Sequence, residues 1–338
     1  MEIYEQFETV VILREQYRVT DPVWKGFLTH LQKGEVTDED VAMLKELVLD
    51  HPKCPYVDFT EDPWNEASLV TPQHGVRNIW NDHVTHHWCQ TSGHQLFECD
   101  TEDTIKGVPL DNNEKFILLS KKSDGSKQQR KKELPNRLLL AIGMKVLVMT
   151  NIETDLDVAN GARREIVDVI LHPDEDIDPA ESVVKLKHLP ICVLVKLYRT
   201  RATALDGLDQ GVIPIEPACV KMQIKLPSES KGSITRTVTR RQYPMMGAYA
   251  FTDYRSQGQT IWHLIVDIAR PPYGQLNLFN IYVALSRGTG RDNIRILRDF
   301  DEDTLKSSQI VELELEDDRL ENLDQKTLVL YTNNELYN

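Results

Sequence analysis

The sequence predicts an α/β fold: a parallel sheet with a small β-rich domain inserted into it. Two patterns carry this expectation. At both ends of the chain, apolar strand-like runs alternate with amphipathic helical stretches, the order that builds parallel sheets. From Leu138 to about Val238 the text changes to short β-branched runs separated by turns, as in a small antiparallel barrel or sheet. With 338 residues, 41% hydrophobic and 27% charged, the chain can bury a sizeable core in two structural units.

The segment FETVVIL (7–13) reads as a buried strand. Thr20 or Asp21 then caps a helix with Pro22 in its first turn. Trp24, Phe27, Leu28 and Leu31 lie on one face of it, and Gly34 stops it. A second helix starts at Thr37 with Asp40 at the capping-box position and a stripe of Val41, Leu44 and Val48. Ala67 to Val70 is a short strand. Thr71 and Pro72 open an amphipathic helix carrying Val76, Trp80 and Val84. Cys99 to about Arg137 is polar and reads as loop. The runs MKVLVMTN, REIVDVIL, ESVVKLK, CVLVKLY and CVKMQIKL are the strands of the insertion. Alternation then resumes: AYAFT as strand, DYRSQGQT as turn or short helix, HLIVDIA as buried strand, NLFNIYVALSRG as helix and NIRIL as the last strand.

Charge and cysteine usage narrow the function classes. No stretch has the apolar length of a membrane span, and the opening MEIYEQFE is acidic, so a soluble intracellular chain with no membrane partner is expected. Cys54, Cys89, Cys99, Cys192 and Cys219 are odd in number and scattered, which speaks against a disulfide framework. The net charge is −14, but residues 299–338 hold 12 acidic against 3 basic residues, a local −9 that leaves −5 for the other 298. Local cationic surfaces therefore remain open.

In open α/β sheets ligands gather beyond the carboxyl ends of the strands, which directs attention to the residues after AYAFT and at the end of the following helix. Thr252, Ser256 and Gln257 offer side-chain hydrogen bonds, Gly258 a close backbone approach, and Arg255 and Arg287 phosphate contacts. Residue chemistry alone leaves the alternative open that both arginines are solvated and Gly258 is a plain turn.

AYAFTDYRSQGQT followed by IYVALSRGTGRDNIRIL resembles the fifth and sixth motifs of superfamily-one DNA helicases of the petite-integration-frequency (PIF) family, which includes the Helitron transposon helicases. Upstream, LREQYRVTDPVWKGFLTHLQKGEVTDEDVAML resembles that family's fourth motif and the helices after it. LVTPQHGVRNIWN resembles the strand and helix that follow, and LPNRLLLAIGMKVLVMTNIETDLDVANGARREIVDVI the entry to its inserted barrel domain. The resemblance runs from about Thr9 to Phe300 and is most specific over 252–260 and 281–287. It implies a second RecA-like domain of the P-loop NTPase type, residues 1–137 and 245–310, with a small β-barrel inserted at 138–244 and an acidic tail at 311–338. It also implies part of a 5′–3′ type ATP-dependent DNA helicase, with nuclear placement.

Carried over by resemblance, Arg287 is the arginine that reaches the γ-phosphate of ATP and Arg18 a second one beside it. Gln257 and Gly258 couple nucleotide to DNA, and Thr252, Tyr254, Arg255, Ser256 and Asn160 face single-stranded DNA. Tyr254 and Arg255 stand where the family has His and Lys, and Arg164 where it has a second glycine after Asn160 and Gly161. The family's first domain brings a G-x-x-x-x-G-K-[ST] loop and a magnesium-holding carboxylate; no such loop occurs in this sequence. ATP and Mg²⁺ are therefore expected only with a complementary first RecA-like domain, in cis or in trans, and the chain alone is expected neither to hydrolyse ATP efficiently nor to unwind DNA. The alternative is a non-catalytic DNA-binding or interaction module derived from a transposon helicase.

Two further features are weighed. His83, His86, His87, Cys89, His94 and Cys99 match no standard zinc spacing, and Val84 and Trp88 suggest a packed face, so no metal is expected there. The basic runs KKSDGSKQQRKK (121–132) and RTVTRR (236–241) are either phosphate contacts or exposed loops.

Overall fold

A computed structural model describes residues 4–120, 134–149, 163–197, 204–228, 232–272 and 276–333. The chain divides into two compact units, residues 1–74 with 251–338, and Gly75–Ala250. The expected boundary near 137/138 falls inside the second of these. No helix among the described residues is long and apolar enough to cross a membrane.

In chain order, the first unit opens with α1 (Pro22–Lys33) and α2 (Asp38–Glu46), then β1 (Ser68–Val70). Asp21, not Thr20, caps α1, accepting from the N–H groups of Val23 and Trp24. Trp24, Phe27, Leu28 and Leu31 are all buried, as their spacing predicts. Thr37 and Asp40 form the reciprocal capping box of α2.

Helix α3 (His74–Ser92) leads into the second unit. There follow β2 (Leu96–Asp100), β3 (Glu102–Ile105), β4 (Val108–Pro109), α4 (Asn112–Ser120), β5 (Arg137–Leu140), β6 (Lys145–Val148) and β7 (Arg163–Ile170). Then come β8 (Val183–Lys185), β9 (Cys192–Leu197), β10 (Val212–Ile215), β11 (Ala218–Ser228), β12 (Gly232–Gln242) and β13 (Met245–Gly247). Among the described residues they form three sheets: β10-β9-β7-β6-β13 and β5-β2-β8 share a core that includes Leu96, Leu140, Val146, Ile166, Val193 and Tyr243, while β11-β12-β3-β4 packs on a separate cluster of Leu110, Leu118, Ile224 and Val238. The stretch expected as loop after Cys99 thus contains β3, β4 and α4. Its strands are polar because β3 is half-exposed along its whole length.

The first unit resumes with β14 (Ala250–Phe251), α5 (Asp253–Ser256), β15 (Leu264–Val266), α6 (Leu278–Leu285), β16 (Ile294–Ile296), α7 (Glu302–Leu305) and α8 (Val311–Thr332). Its sheet runs β14-β1-β15-β16, with β1, β15 and β16 parallel (Leu69 opposite Ile265, Ile265 opposite Arg295). This is the parallel sheet that the β-α-β-α-β order predicts.

Three expectations are corrected. FETVVIL is not a buried strand: Phe7, Val11 and Leu13 are exposed, and the backbone donors of Val10 and Ile12 reach Thr327 Oγ1 (3.1 Å) and Asp324 Oδ1 (2.8 Å) on α8. β-propensity describes fit to a half-buried surface, and here a helix's side chains supply that surface. The acidic 311–332 is accordingly a helix, joined to Arg14 through Glu321 and Asp324. On α3 the fully buried stripe is Asn81, Thr85 and Cys89, while Val76, Trp80 and Val84 are half-buried. Asn81 is buried because its side chain accepts from the N–H groups of Tyr249 (3.1 Å) and Ala250 (2.8 Å) and donates to the Ala250 carbonyl, fixing the entry to β14.

Asp21 does more than cap. Its carboxylate pairs with Arg291 Nε (2.6 Å) and Nη2 (3.2 Å) and accepts from the Arg291 N–H. The Arg291 side chain and these backbone donors hold the Asp21 carboxyl down to about 2, from 3.8. A depressed carboxyl stabilises the fold above its free value and loses that contribution as pH falls toward the folded one. Asp21→Asn keeps a capping side chain but not the charge. The parent is expected to exceed this variant by about 2 kcal/mol at neutral pH, with the difference shrinking between about pH 4 and pH 2. Denaturant unfolding of both proteins across that range checks it; a pH-independent difference contradicts it.

Candidate nucleotide and nucleic-acid site

Chain direction in the sheet decides where the predicted residues land. Thr252 follows β14 beside the carboxyl end of β1, where the Thr71 N–H donates to the Phe251 carbonyl (3.0 Å). Nearby at that edge, buried Asp267 follows β15, holds Arg298 in a two-point pair (3.0 Å each) and accepts from Thr71 Oγ1. Arg287 lies at the opposite edge. It lies two residues beyond the end of α6, in the connection to β16, and its carbonyl accepts from the N–H of Ile261, which precedes β15. The expectation that both groups sit beyond the carboxyl ends is corrected for Arg287, because a helix following a parallel strand runs back and ends at the amino edge.

At that amino edge two guanidinium groups meet. Arg287 is 8% exposed; its Nε donates to the Val283 carbonyl (2.8 Å) and its Nη2 to Ser286 Oγ (2.7 Å). Arg18 donates from Nε to Thr260 Oγ1 (3.1 Å) and from Nη1 to the Ser286 carbonyl (3.2 Å). Among the described residues neither meets a carboxylate. Burial, and then the charge of Arg18, pushes the Arg287 guanidinium down to about 10. Neutral acceptors thus orient two cations and leave their charge uncompensated, which suits polyphosphate oxygens. Arg18 is delivered here by the Asp21–Arg291 pair and by the Thr20 N–H, which donates to the Thr289 carbonyl (3.0 Å). Gly290 permits the approach, since a Cβ on it would stand 2.8 Å from the Asp21 Cβ.

At the carboxyl edge the predicted DNA-facing residues separate. Tyr254 points outward, 66% exposed, and forms a tilted pair with half-exposed Phe279 at the start of α6 (centroids 6.3 Å). Arg255 is half-buried, and burial lowers its guanidinium pKa. Thr252 is buried, and so is Ser256, whose hydroxyl donates to the Asp253 carbonyl (2.6 Å). These two stand behind the surface, because α5 is a single turn whose inner face must satisfy its own polar groups. The buried carboxylate of Asp253 accepts from the Asn280 side-chain amide, tying α5 to α6. Gln257 and Gly258 are exposed, with Gly258 at φ 82°, a left-handed geometry that favours glycine. They lie on the segment joining Thr252 at one edge to Thr260, the partner of Arg18, at the other.

Asn160 and the run 121–132 lie outside the described residues. Arg164 is not in a turn but in β7, opposite Val146 and Leu197, and almost wholly buried. Arg240 and Arg241 of the second basic run are occupied by Asp103 and Glu102, so these two are structural. In the His/Cys cluster, Cys89 and Cys99 are buried in the core with thiol pKa values raised by burial, whereas His83 and His87 are exposed.

No protein-family profile matches the chain. Over 304 residues it is 24% identical to a protein of Trypanosoma brucei brucei described as ATP-dependent DNA helicase PIF7, covering 86% of this chain and 29% of that one. In fold it is similar to the Pif1 helicase of Candida albicans (TM-score 0.57, 20% identity, 90% of this chain and 59% of the other). It is likewise similar to a Bacteroides Pif1 solved with ADP-AlF3 and single-stranded DNA (TM-score 0.55, 15% identity, 91% and 56%). Over the matched residues the chain shares the fold of these solved Pif1 chains. It spans under a third of the length of the trypanosome protein and somewhat over half of the solved Pif1 chains.

Beyond the motif residues, the structure adds Phe279, Asp253, Thr260 and Ser286 to this part of the candidate site. Phe279 was legible in principle: it lies two residues, about 200° around a helix, from buried Ile281.

A buried cation with no carboxylate carries a desolvation cost that an apolar side chain does not. Arg287→Met is therefore expected to unfold at the same or a higher temperature than the parent, with a gain of up to about 2 kcal/mol. Thermal unfolding in phosphate-free buffer reads this; a loss larger than about 2 kcal/mol would mean that the guanidinium is structural.

Proposed function

We propose that this chain supplies the second RecA-like half of a Pif1-type, ATP-dependent DNA helicase, contributing arginines to a nucleotide cleft and a surface to single-stranded DNA. The observation that carries the reading is the Arg18–Arg287 pair, oriented by Ser286, Thr260 and Val283 and without an acidic partner among the described residues. Such a pair fits the oxygens of a nucleotide's terminal phosphates and stabilises the charge that develops there during phosphoryl transfer. ATP and Mg²⁺ would be held chiefly by a complementary first RecA-like domain, because this sequence has no G-x-x-x-x-G-K-[ST] loop.

Tyr254 and Phe279 offer two outward aromatic faces on which bases stack, and Arg255 beside Tyr254 supplies positive charge for the strand's phosphates. The connection from Thr252 to Thr260, through Gln257 and Gly258, then joins the strand-facing edge to the phosphate-facing edge. The similar proteins, an ATP-dependent DNA helicase and a Pif1 solved with ADP-AlF3 and single-stranded DNA, support this reading. Nuclear placement goes with it.

A second reading, a DNA-binding module without catalysis, is favoured by the absent phosphate loop in this sequence. Adding a separately produced first RecA-like domain separates the two. On the helicase reading, DNA-stimulated ATP hydrolysis appears on mixing and falls by roughly 10³-fold or more in Arg287→Ala; no hydrolysis on mixing favours the module. The chain alone is expected to bind labelled oligothymidylate in a salt-dependent manner, with Tyr254→Ala and Phe279→Ala each weakening affinity roughly 5- to 100-fold. Fluorescence anisotropy measures this, and unchanged affinity in both variants would remove the aromatic platform from the proposal.

A further inference from the structure

A second cluster of chemistry lies wholly within the Gly75–Ala250 unit and takes no part in the proposed helicase function. His172 and Asp174 sit in the turn after β7, and His188 in the turn after β8. One ligating atom from each lies within 4.8 Å of the other two, the only such trio among the described residues. The two imidazole rings stand 4.6 Å apart at 34°, and Asp174 Oδ2 is 3.6 Å from His172 Nδ1.

The turns are held together before any ligand arrives. Glu175 Oε1 accepts from the backbone N–H groups of Lys187 (2.7 Å) and His188 (2.6 Å), and the Glu175 N–H donates to the His172 carbonyl (3.0 Å). A carboxylate next to two ligands of one turn therefore fixes the backbone that carries the third. All three side chains are at least partly exposed, so small rotations bring their donor atoms to the roughly 3.3 Å spacing that metal–ligand bonds of ~2.0–2.1 Å require. Asp174 N–H donates to His172 Nδ1 (3.2 Å), a bond the ring gives up if that nitrogen becomes the ligand.

We propose that His172, Asp174 and His188 form a binding site for a divalent transition-metal ion, zinc being the best match. Two imidazoles and one carboxylate are a borderline donor set that selects Zn²⁺, Co²⁺ or Ni²⁺ over Mg²⁺ and Ca²⁺, with water completing the shell. The bound ion cross-links the two turns and stabilises the unit that contains them.

The test is titration of the metal-stripped full chain with Co²⁺ and Zn²⁺, followed by Co²⁺ absorption and by the metal-dependent shift of thermal unfolding. One equivalent is expected to bind, with affinity at least 10-fold weaker in His188→Ala and in His172→Ala. Glu175→Gln, which removes no ligand, is expected to weaken binding several-fold. The exposed His83 and His87, one helical turn apart on α3, are the competing pair. In a His83→Ala/His87→Ala double variant the site is expected to be intact. Loss of binding in that variant with retention in His172→Ala/His188→Ala, or no stoichiometric binding at all, would overturn the proposal. Circular dichroism confirms that each variant is folded.

Discussion

The candidate nucleotide site depends on one carboxylate. Asp21 accepts from Val23 and Trp24 at the start of α1 and from both the side chain and the backbone of Arg291. It thereby joins a segment near one end of the chain to the turn after α6. Beside that join, only the Thr20–Thr289 contact and the Arg18–Ser286 hydrogen bond, among the described residues, tie residues 17–21 to the 286–291 turn. Capping alone would place α1; the added Arg291 pair places Arg18. The same carboxylate thus serves local structure through a helix terminus and tertiary structure through an ion pair.

What the clamp brings together is unfavourable by itself. Burial lowers the affinity of Arg287 for its proton, and the charge of nearby Arg18 lowers it further. A fold that holds two cations together needs a return elsewhere, and the anionic ligand proposed for this site would supply it by removing both the repulsion and the uncompensated charge. The surroundings match this division of labour. Val283, Ser286 and Thr260 orient the guanidinium groups through dipoles and leave their charge available.

Much of this was legible in the sequence because the signals were local. Asp21, Pro22 and Gly34 mark α1, Thr37 and Asp40 mark α2, and the strand–helix alternation near Tyr249–Leu297 gives a parallel sheet. The failures were cases where a partner distant in sequence decided the outcome. FETVVIL carries strand propensity, but its backbone donors meet Thr327 and Asp324 more than 300 residues away. Asn81 looks like the polar side of a helix, yet it is buried because Tyr249 and Ala250 need its amide. Thr252 and Ser256 carry the hydroxyls that suggested phosphate contacts, but one turn of helix cannot present every side chain outward. Motif spacing could not reveal that Arg287 and Thr252 occupy opposite edges of the sheet, since that follows from the return direction of α6.

Charge is where sequence and structure diverge most usefully. The sequence offers many arginines in a chain of net charge −14, and composition gives no means of ranking them. Partners do. Arg240 faces Asp103, Arg241 faces Glu102, Arg291 faces Asp21 and Arg298 faces Asp267, and each joins segments that must stay joined. Arg295 is buried against Trp64 and spends one nitrogen on three backbone carbonyls, a packing role. Arg18 and Arg287 differ from all of these, since fixed neutral acceptors aim them and no carboxylate among the described residues takes up their charge. An arginine whose charge is matched inside the fold is available to the fold alone. One that is oriented but unmatched has its strongest interaction still to make, and this is the basis for the polyphosphate contact proposed for Arg18 and Arg287.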